Sequence, residues 1–310
     1  MKILVLGGNG FIGSHLVERL LREGHDMRVF DRNPERYRKP LAGVKYDLQD
    51  FGNRAALASA LENVDMVFHL ISTTTPKTSN DDPEFDVTSN LVETVSLLKL
   101  CVEKRVRKLI YLSSGGAVYG IPSCLPVHED DPKNPQSSYG IMKLTVEKYI
   151  ELFNRLYGLD YAIIRPSNPY GERQNPFADQ GVIAVFLGQI ARRKPIDIWG
   201  DGNAAKDYIY IEDLVDGICR AAFRNTENRI FNLGSGAATS INSIVATIKE
   251  LTNAPLCVNY NGVKQFDVPN IYLEISRARN ELNWNPKTSL KEGVSRAWKF
   301  VKGLEEQRDF

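Results

Sequence analysis

The sequence predicts an α/β fold: a doubly wound parallel sheet followed by a smaller, mixed C-terminal unit. Two observations carry this reading. Short, continuously apolar runs alternate with helical spacings over residues 2–165, and beyond 165 that rhythm gives way to a stretch rich in Asn, Pro and Gly. Short apolar runs mark strands covered on both faces, and their alternation with helices makes the sheet parallel. The chain's 310 residues suffice for one large domain or two modest ones.

In chain order, residues 3–6 form the first strand. Residues 11–22 place Ile12, Leu16, Val17, Leu20 and Leu21 at helical spacing, and 27–30 form a second strand that ends at Asp31. Residues 65–71, 108–112 and 161–164 are further apolar runs, with helices predicted over 91–106 and 139–157. Right-handed crossovers put helices on both faces. Residues 167–179 read as an extended binding loop. After it, helical patterns at 181–193, 212–223, 240–252 and 290–301 alternate with short strands. The predicted division is a first domain over 1–165, with 207–234 returning to it, and a second over 166–206 and 235–310. The polar tail from 305 is expected to fray.

Composition narrows the function. Charged residues at 25% and hydrophobic ones at 43% are those of a soluble globular chain. With 39 Lys+Arg against 38 Asp+Glu, the net charge of +1 argues against a nucleic-acid or membrane-surface partner. Cys101, Cys124, Cys219 and Cys257 are far apart, and His15, His25, His69 and His128 lack ligand spacing. No disulfide framework and no metal are expected, and a reducing, cytoplasmic setting is. No stretch approaches the roughly 20 apolar residues of a membrane helix. The apolar N-terminus runs into Gly7-Gly8, which suits a buried strand better than an export signal.

Gly7-Gly8-Asn9-Gly10-Phe11-Ile12-Gly13 joins the first strand to the first helix. Glycines at 7, 10 and 13 permit a tight turn, close approach of backbone to a pyrophosphate, and close helix–strand contact. The helix start adds free N–H groups. The spacing is G-x-x-G-x-x-G, not G-x-G-x-x-G, and a purely structural turn is the alternative. Asp31 stands roughly 20 residues on, where an acid takes the adenosine ribose hydroxyls of a Rossmann-type dinucleotide site. Its carboxylate would repel a 2′-phosphate, which predicts NAD over NADP; the neighbouring Arg32 pulls the other way.

Tyr139 and Lys143 are four residues apart, on one face of the predicted helix. An ammonium beside a phenol favours phenolate, so Tyr139 is expected below the ordinary value of about 10. Such a tyrosine suits acid–base work on a sugar hydroxyl, with Lys143 also holding the nicotinamide ribose. The alternative is a surface Tyr/Lys pair. A second Tyr-x-x-x-Lys, Tyr260 to Lys264, crosses Asn261-Gly262 and is not expected to be helical.

With these motifs go Asp47-Leu48, His69-Leu70, Ser113-Ser114, Val118-Tyr119-Gly120 and Arg165-Pro166-Ser167-Asn168-Pro169-Tyr170-Gly171. Further on come Gly200-Asp201-Gly202, Asp207-Tyr208, Asn232-Leu233-Gly234-Ser235-Gly236 and Leu282-Asn283-Trp284-Asn285-Pro286. Over nearly its whole length the chain resembles the extended short-chain dehydrogenase/reductase family, most of all its UDP-glucose and UDP-N-acetylglucosamine 4-epimerases. That resemblance implies an NAD-dependent sugar-nucleotide epimerase, a homodimer built on helices 91–106 and 139–157. It implies that Gly7, Gly10, Phe11, Ile12, Gly13, Asp31 and Arg32 meet the cofactor. Asp47 and Leu48 would meet its adenine, and Leu70, Ile71, Ser72 and Ser89 its diphosphate and ribose. Ser113, Pro166, Tyr139 and Lys143 complete the cofactor set. Substrate would meet Gly115, Asn168 at the diphosphate, Val182, Trp199 beside the uracil, Lys206, Lys264, Asp267 at the ribose, and Ile271. The plainer alternatives are Leu70 and Ile71 as core, Asn168 as a turn residue and Trp199 as a packing aromatic.

The departures are as informative. The family's catalytic Ser/Thr position is Gly115 here, so Ser114 or a water is expected to take over. The acids that the family's dehydratases and decarboxylases carry near Gly116 and Ala117 are missing, which leaves epimerisation. Two clamping arginines are Lys206 and Lys264, which keep charge but lose the fork, unless they are solvated surface charges. Ile271, four residues after Asp267, stands where a bulky Tyr would narrow the sugar pocket. With the bare Gly115-Gly116 wall it predicts that N-acetylhexosamines are accepted, unless Ile271 packs in the core. Two rivals stay open: a one-way 4-ketosugar reductase, and a non-catalytic NAD-binding sensor, which Gly115 favours and the Tyr139–Lys143 pair opposes.

Overall fold

The computed structural model describes residues 1–253, 257–262 and 270–306. The first run of elements is β1 (Lys2–Leu6), α1 (Phe11–Arg22), β2 (Asp26–Asp31), β3 (Val44–Leu48), α2 (Arg54–Ala60) and β4 (Met66–His69). Two one-turn helices follow, α3 (Thr78–Asp81) and α4 (Pro83–Asp86), then a π-helical turn (Val87–Val92) that runs into α5 (Glu93–Glu103). β5 (Lys108–Leu112), the long α6 (Ser138–Tyr157) and β6 (Asp160–Pro166) come next. Then come β7 (Asn168–Tyr170), α7 (Val182–Ala191), β8 (Ile196–Trp199), β9 (Ala205–Lys206), β10 (Tyr208–Tyr210), α8 (Ile211–Phe223) and β11 (Ile230–Leu233). The chain continues with β12 (Thr239–Ser240), α9 (Ile241–Thr252), β13 (Val258–Asn261), β14 (Asn270–Ile271), α10 (Ser276–Leu282) and α11 (Leu290–Glu306).

Seven strands form one parallel sheet in the order β11-β6-β5-β4-β1-β2-β3. β1 shows why it is covered on both faces. Ile3 and Val5 join Leu16, Val17 and Leu20 of α1 in one apolar cluster, while Leu4 and Leu6 join Leu97, Leu98 and Val146 in the other. The period of two sends alternate side chains to opposite faces, and each such burial contributes about 1.5–3 kcal/mol. The strand order reverses between β1 and β4, and an open parallel sheet has its crevice at that point, beyond the strands' carboxyl ends. The loops after β1 and β4 flank it.

Several short elements have no counterpart in the sequence reading: β3, α2, α3, α4 and α10. The helix expected over 91–106 starts instead as the π-helical turn. The Asn90 amide donates to the Asp86 carbonyl (3.2 Å) and the Asp86 carboxylate (3.1 Å), a side chain competing with the helical ladder. α6 is capped from both sides. Gly140 N donates to Ser137 Oγ (3.2 Å), Tyr139 N to Ser79 Oγ (3.0 Å) and Ser138 N to Asn80 Oδ1 (2.9 Å), so α3 docks on the helix start. Gly158, left-handed at φ 71°, closes its end.

Beyond β6, β11 extends the same sheet and α8 lies against α1. Smaller sheets, β7 with β10, β8 with β13, and β12-β9-β14, stand over the carboxyl edge, backed by α7, α9 and α11. Among the described residues, no helix is long and apolar enough to cross a membrane.

Candidate active site

The glycine loop closes on itself. Gly10 N donates to the Gly7 carbonyl (3.1 Å), Gly7 has φ +80°, and a Cβ at Gly13 would lie 2.1 Å from that carbonyl oxygen. Only glycine fits there. The first residue before α1 is Gly10, which provides no side-chain cap, so the N–H groups of Phe11 and Ile12 remain for a ligand. The backbone of Leu70 and Ile71, after β4, presses on Gly7: a Cβ there would lie 3.3 Å from each. Asp31 ends β2, 8% exposed, and its carboxylate accepts from Asn9 N (3.1 Å) and Asn33 N (2.9 Å). Arg32 beside it is exposed. A cradle closed to side chains, uncapped helix N–H groups, an acid at the end of β2 and a buried, unpartnered Asn9 Oδ1 together fit a bound dinucleotide.

Four expected cofactor contacts have prior partners. Asp47 is the counter-ion of Arg28, whose Nη2 donates to Asp47 Oδ1 (3.0 Å) and whose Nη1 donates to the Ser59 and Ala60 carbonyls at the end of α2. Leu48, next to it on the edge strand, is half exposed. Ser113 Oγ turns into the core onto the Glu147 carboxylate. Ser89 Oγ meets Thr73 Oγ1 (2.6 Å) and the Phe85 carbonyl, while the exposed Ser72 donates to the Thr74 carbonyl (3.1 Å). Pro166 ends β6, and its carbonyl receives Gly115 N (2.8 Å).

Ser114, Tyr139 and Lys143 come together between β5 and α6. Ser114 lies near enough to the Tyr139 phenol to act on its proton affinity. Lys143 is buried, with Nζ donating to the Leu112 carbonyl (2.9 Å) and lying 5.6 Å from the Tyr139 ring centre and 4.9 Å from that of Tyr111. The expected downward pull on the phenol is corrected: burial pushes Tyr139 up to about 12, opposed by the neighbouring Ser114. Burial likewise draws Lys143 down to about 8, opposed by the Asp86 and Glu147 charges. Below the pair, Glu147 is forked by Arg165 (Nε 3.1 Å, Nη2 2.6 Å), both fully buried.

Gly115 does not have a positive φ; space is what excludes a side chain. A Cβ there would lie 2.7 Å from Leu273 Cδ1, 3.0 Å from the Pro166 carbonyl oxygen and 3.1 Å from that of Arg165. The expectation of a bare wall at both glycines is therefore corrected at 115, where Leu273 fills it. Gly116 meets open space.

On the substrate side, Asn168 pairs with the Asp207 carbonyl through both its backbone N (3.0 Å) and its Nδ2 (2.8 Å). Val182 opens α7, half-buried, behind a left-handed Gly181 without a side-chain cap. Trp199 ends β8 and is 53% exposed. Lys206 of β9 stands in register with Ile271 of β14, which is 3% exposed within the main apolar cluster. Lys264 and Asp267 lie outside the described residues, and Tyr260 is in β13, not a helix.

Sequence spacing gave no sign of Leu273, Asp86 or the α3 cap, which chain segments far apart bring to the site. Nor did it signal the cluster of His128, Glu129 and Glu274, whose ligand-type atoms lie within 4.8 Å of one another. There Arg277 Nε, 3.8 Å from Glu129 Oε2, already supplies a cation.

The NAD dependent epimerase/dehydratase family matches residues 3–234. A UDP-glucose 4-epimerase from Mycolicibacterium smegmatis is 35% identical over 311 residues, 97% of this chain and 99% of that protein. The crystal structure of a UDP-glucose 4-epimerase with UDP-glucose from Thermotoga maritima superposes with a TM-score of 0.94 at 32% identity, covering 98% of this chain and 100% of the other. That of a UDP-N-acetylglucosamine 4-epimerase from Methanobrevibacter ruminantium, in complex with UDP-N-acetylmuramic acid, has a TM-score of 0.91 at 25% identity and covers 98% of each chain.

Proposed function

Because the chain belongs to the NAD dependent epimerase/dehydratase family, we propose that it is a UDP-hexose 4-epimerase that also accepts N-acetylhexosamines. The observation that carries the reading is the Ser114–Tyr139–Lys143 group standing beside a glycine cradle that fits a dinucleotide. Tyr139 takes the proton of the sugar 4-hydroxyl, and Ser114, the neighbouring hydroxyl, orients and relays it. Lys143 fixes the cofactor ribose, its Nζ 5.6 Å from the Tyr139 ring centre. NAD, held by the glycine cradle, would supply the hydride chemistry at C4, and inversion requires the 4-keto sugar to present its other face before it is reduced. The sugar leaves as its 4-epimer after a 4-keto stage, with no net oxidation.

Asp31 and the glycine loop would hold the cofactor, with Asn168, Val182, Trp199, Lys206, Lys264 and Asp267 around the nucleotide. Room for an acetamido group is argued from Gly116, which faces open space; Ile271 packs in the apolar cluster, so its share as a gate rests on the substitution below. We take 1–165 with 207–234 as the cofactor domain, the rest as the substrate domain, and a homodimer as the working form. The four free cysteines suit the reducing cytoplasm we expect for it.

The test is incubation with UDP-glucose, UDP-N-acetylglucosamine and UDP-glucuronic acid, with products resolved at C4 and reduced-nicotinamide absorbance followed. We expect each of the first two to be converted to its own 4-epimer without net absorbance change. Steady loss of added NADH with a 4-keto sugar nucleotide would mean a reductase, and no product from any of these sugars would mean a sensor. If Ile271→Tyr, with its Tm intact, handles the N-acetyl sugar as well as wild type, Ile271 does not gate the pocket.

A further inference from the structure

Asp86 ends α4, is fully buried, and has no part in the proposed chemistry. One carboxylate oxygen accepts from Thr74 Oγ1 (2.5 Å) and Asn90 Nδ2 (3.1 Å), the other from Ser138 Oγ (2.8 Å). All three donors are neutral, and among the described residues no Lys or Arg stands within ion-pair distance of it. A carboxylate this deep is costly unless another charge compensates it. Ser138 is the first residue of α6, immediately before Tyr139.

We propose that Asp86 is a positioning residue for the proton transfer: it fixes the first turn of α6 through Ser138 and supplies the counter-charge that keeps Lys143 an ammonium beside Tyr139. The inference rests on the Tyr139–Lys143 reading above. Its charge favours the protonated form of both groups, raising Lys143 against burial and raising Tyr139 with it. The other titratable groups facing the pair are Tyr111 of β5, His69 of β4 and Glu147 of α6. Burial keeps Tyr111 and His69 neutral, and Arg165 of β6 already forks Glu147. On the segment around Asp86 itself, Lys77, Asp81, Asp82 and Glu84 are exposed to solvent. Asp86 is thus the buried carboxylate whose charge remains for Lys143.

Two measurements on the holoenzyme test this, with Asp86→Asn as the main variant and Asp86→Ser as a second neutral one should the first not fold. In an NMR titration of isotope-labelled lysine, the Lys143 signal, assigned by its loss in Lys143→Met, should titrate near 8 in wild type. In the neutral variants its midpoint should fall by about half a unit or more, and Asp86→Glu should bring it back. In the pH–rate profile both limbs should move to acid, because both groups lose the same raising charge. An unmoved Lys143 midpoint, or a lower rate with both limbs in place, overturns the proposal. Tyr139→Phe is the separate control. If it turns over normally, the acid–base reading falls, while the Lys143 titration still decides the role of Asp86.

Discussion

Burial works against the charge state that Tyr139 needs. Its phenol is pushed up to about 12, so the protein alone does not make a phenolate at neutral pH. Tyr139→Phe keeps the ring and deletes the proton carrier. Turnover should fall by about 100- to 10,000-fold with cofactor affinity unchanged, measured by NAD retention on gel filtration. Burial also decides two histidines. His69 is drawn down to about 3 and His15 to about 4, so both stay neutral in the native state while the unfolded chain binds protons below about 6.5. Their contribution is complete above that value and is lost as pH falls toward 4 and 3, at about 1.4 kcal/mol per pH unit each. Urea unfolding at pH 7 and pH 5 should therefore show His69→Gln losing about 2 kcal/mol less than wild type over that interval. Gly13 in a tight loop and Tyr139 with Lys143 on one helix face were legible because their geometry is set within a turn or two of chain. Asp86 was invisible because nothing local marks it; its partners come from 74, 90 and 138.

The Glu147–Arg165 pair ties α6 to β6 beneath the site, with both side chains at 1% exposure or less. Ser113 and Tyr119 are hydrogen-bonded to the same two groups. Removing one charge leaves the other buried without its counter-ion. Glu147→Gln should cost about 3–5 kcal/mol in denaturant unfolding, whereas Glu147→Met with Arg165→Met should cost clearly less than the sum of the single changes. Long elements such as α6 were legible because their apolar spacing repeats over several turns. α3 and α4, four residues each, are too short to show a period, and the π-helical turn follows from side-chain bonds of Asn90 that only the folded chain makes.

Across the whole molecule, Ile141, Tyr149 and Leu156 form one exposed stripe along α6, at 55%, 36% and 59% exposure. This face is where we expect the second copy. Sedimentation should give a dimer, and Ile141→Asp with Leu156→Asp should give a folded monomer; a dimer that survives both changes would place the interface elsewhere. The doubly wound half of the chain was legible from its alternating runs. In the second half the longer helices were legible and the short α10 was not; contacts between distant loops, Gly115 with Leu273 above all, carry no local signal.

That one contact also makes the order of mutations matter. A side chain at 115 meets the Leu273 methyl at 2.7 Å in a site already hemmed by two carbonyls, an overpacking of about 1–3 kcal/mol. Shortening Leu273 first opens the space, so the two positions are epistatic. Starting from this sequence, Gly115→Ser alone should lower Tm and activity. Leu273→Ala should cost about 2–5 kcal/mol as a cavity, and Gly115→Ser on that background should be neutral or partly restoring. A lineage that moves between glycine and a hydroxyl at 115 therefore has to travel through residue 273, and a double-mutant cycle on Tm measures how narrow that path is.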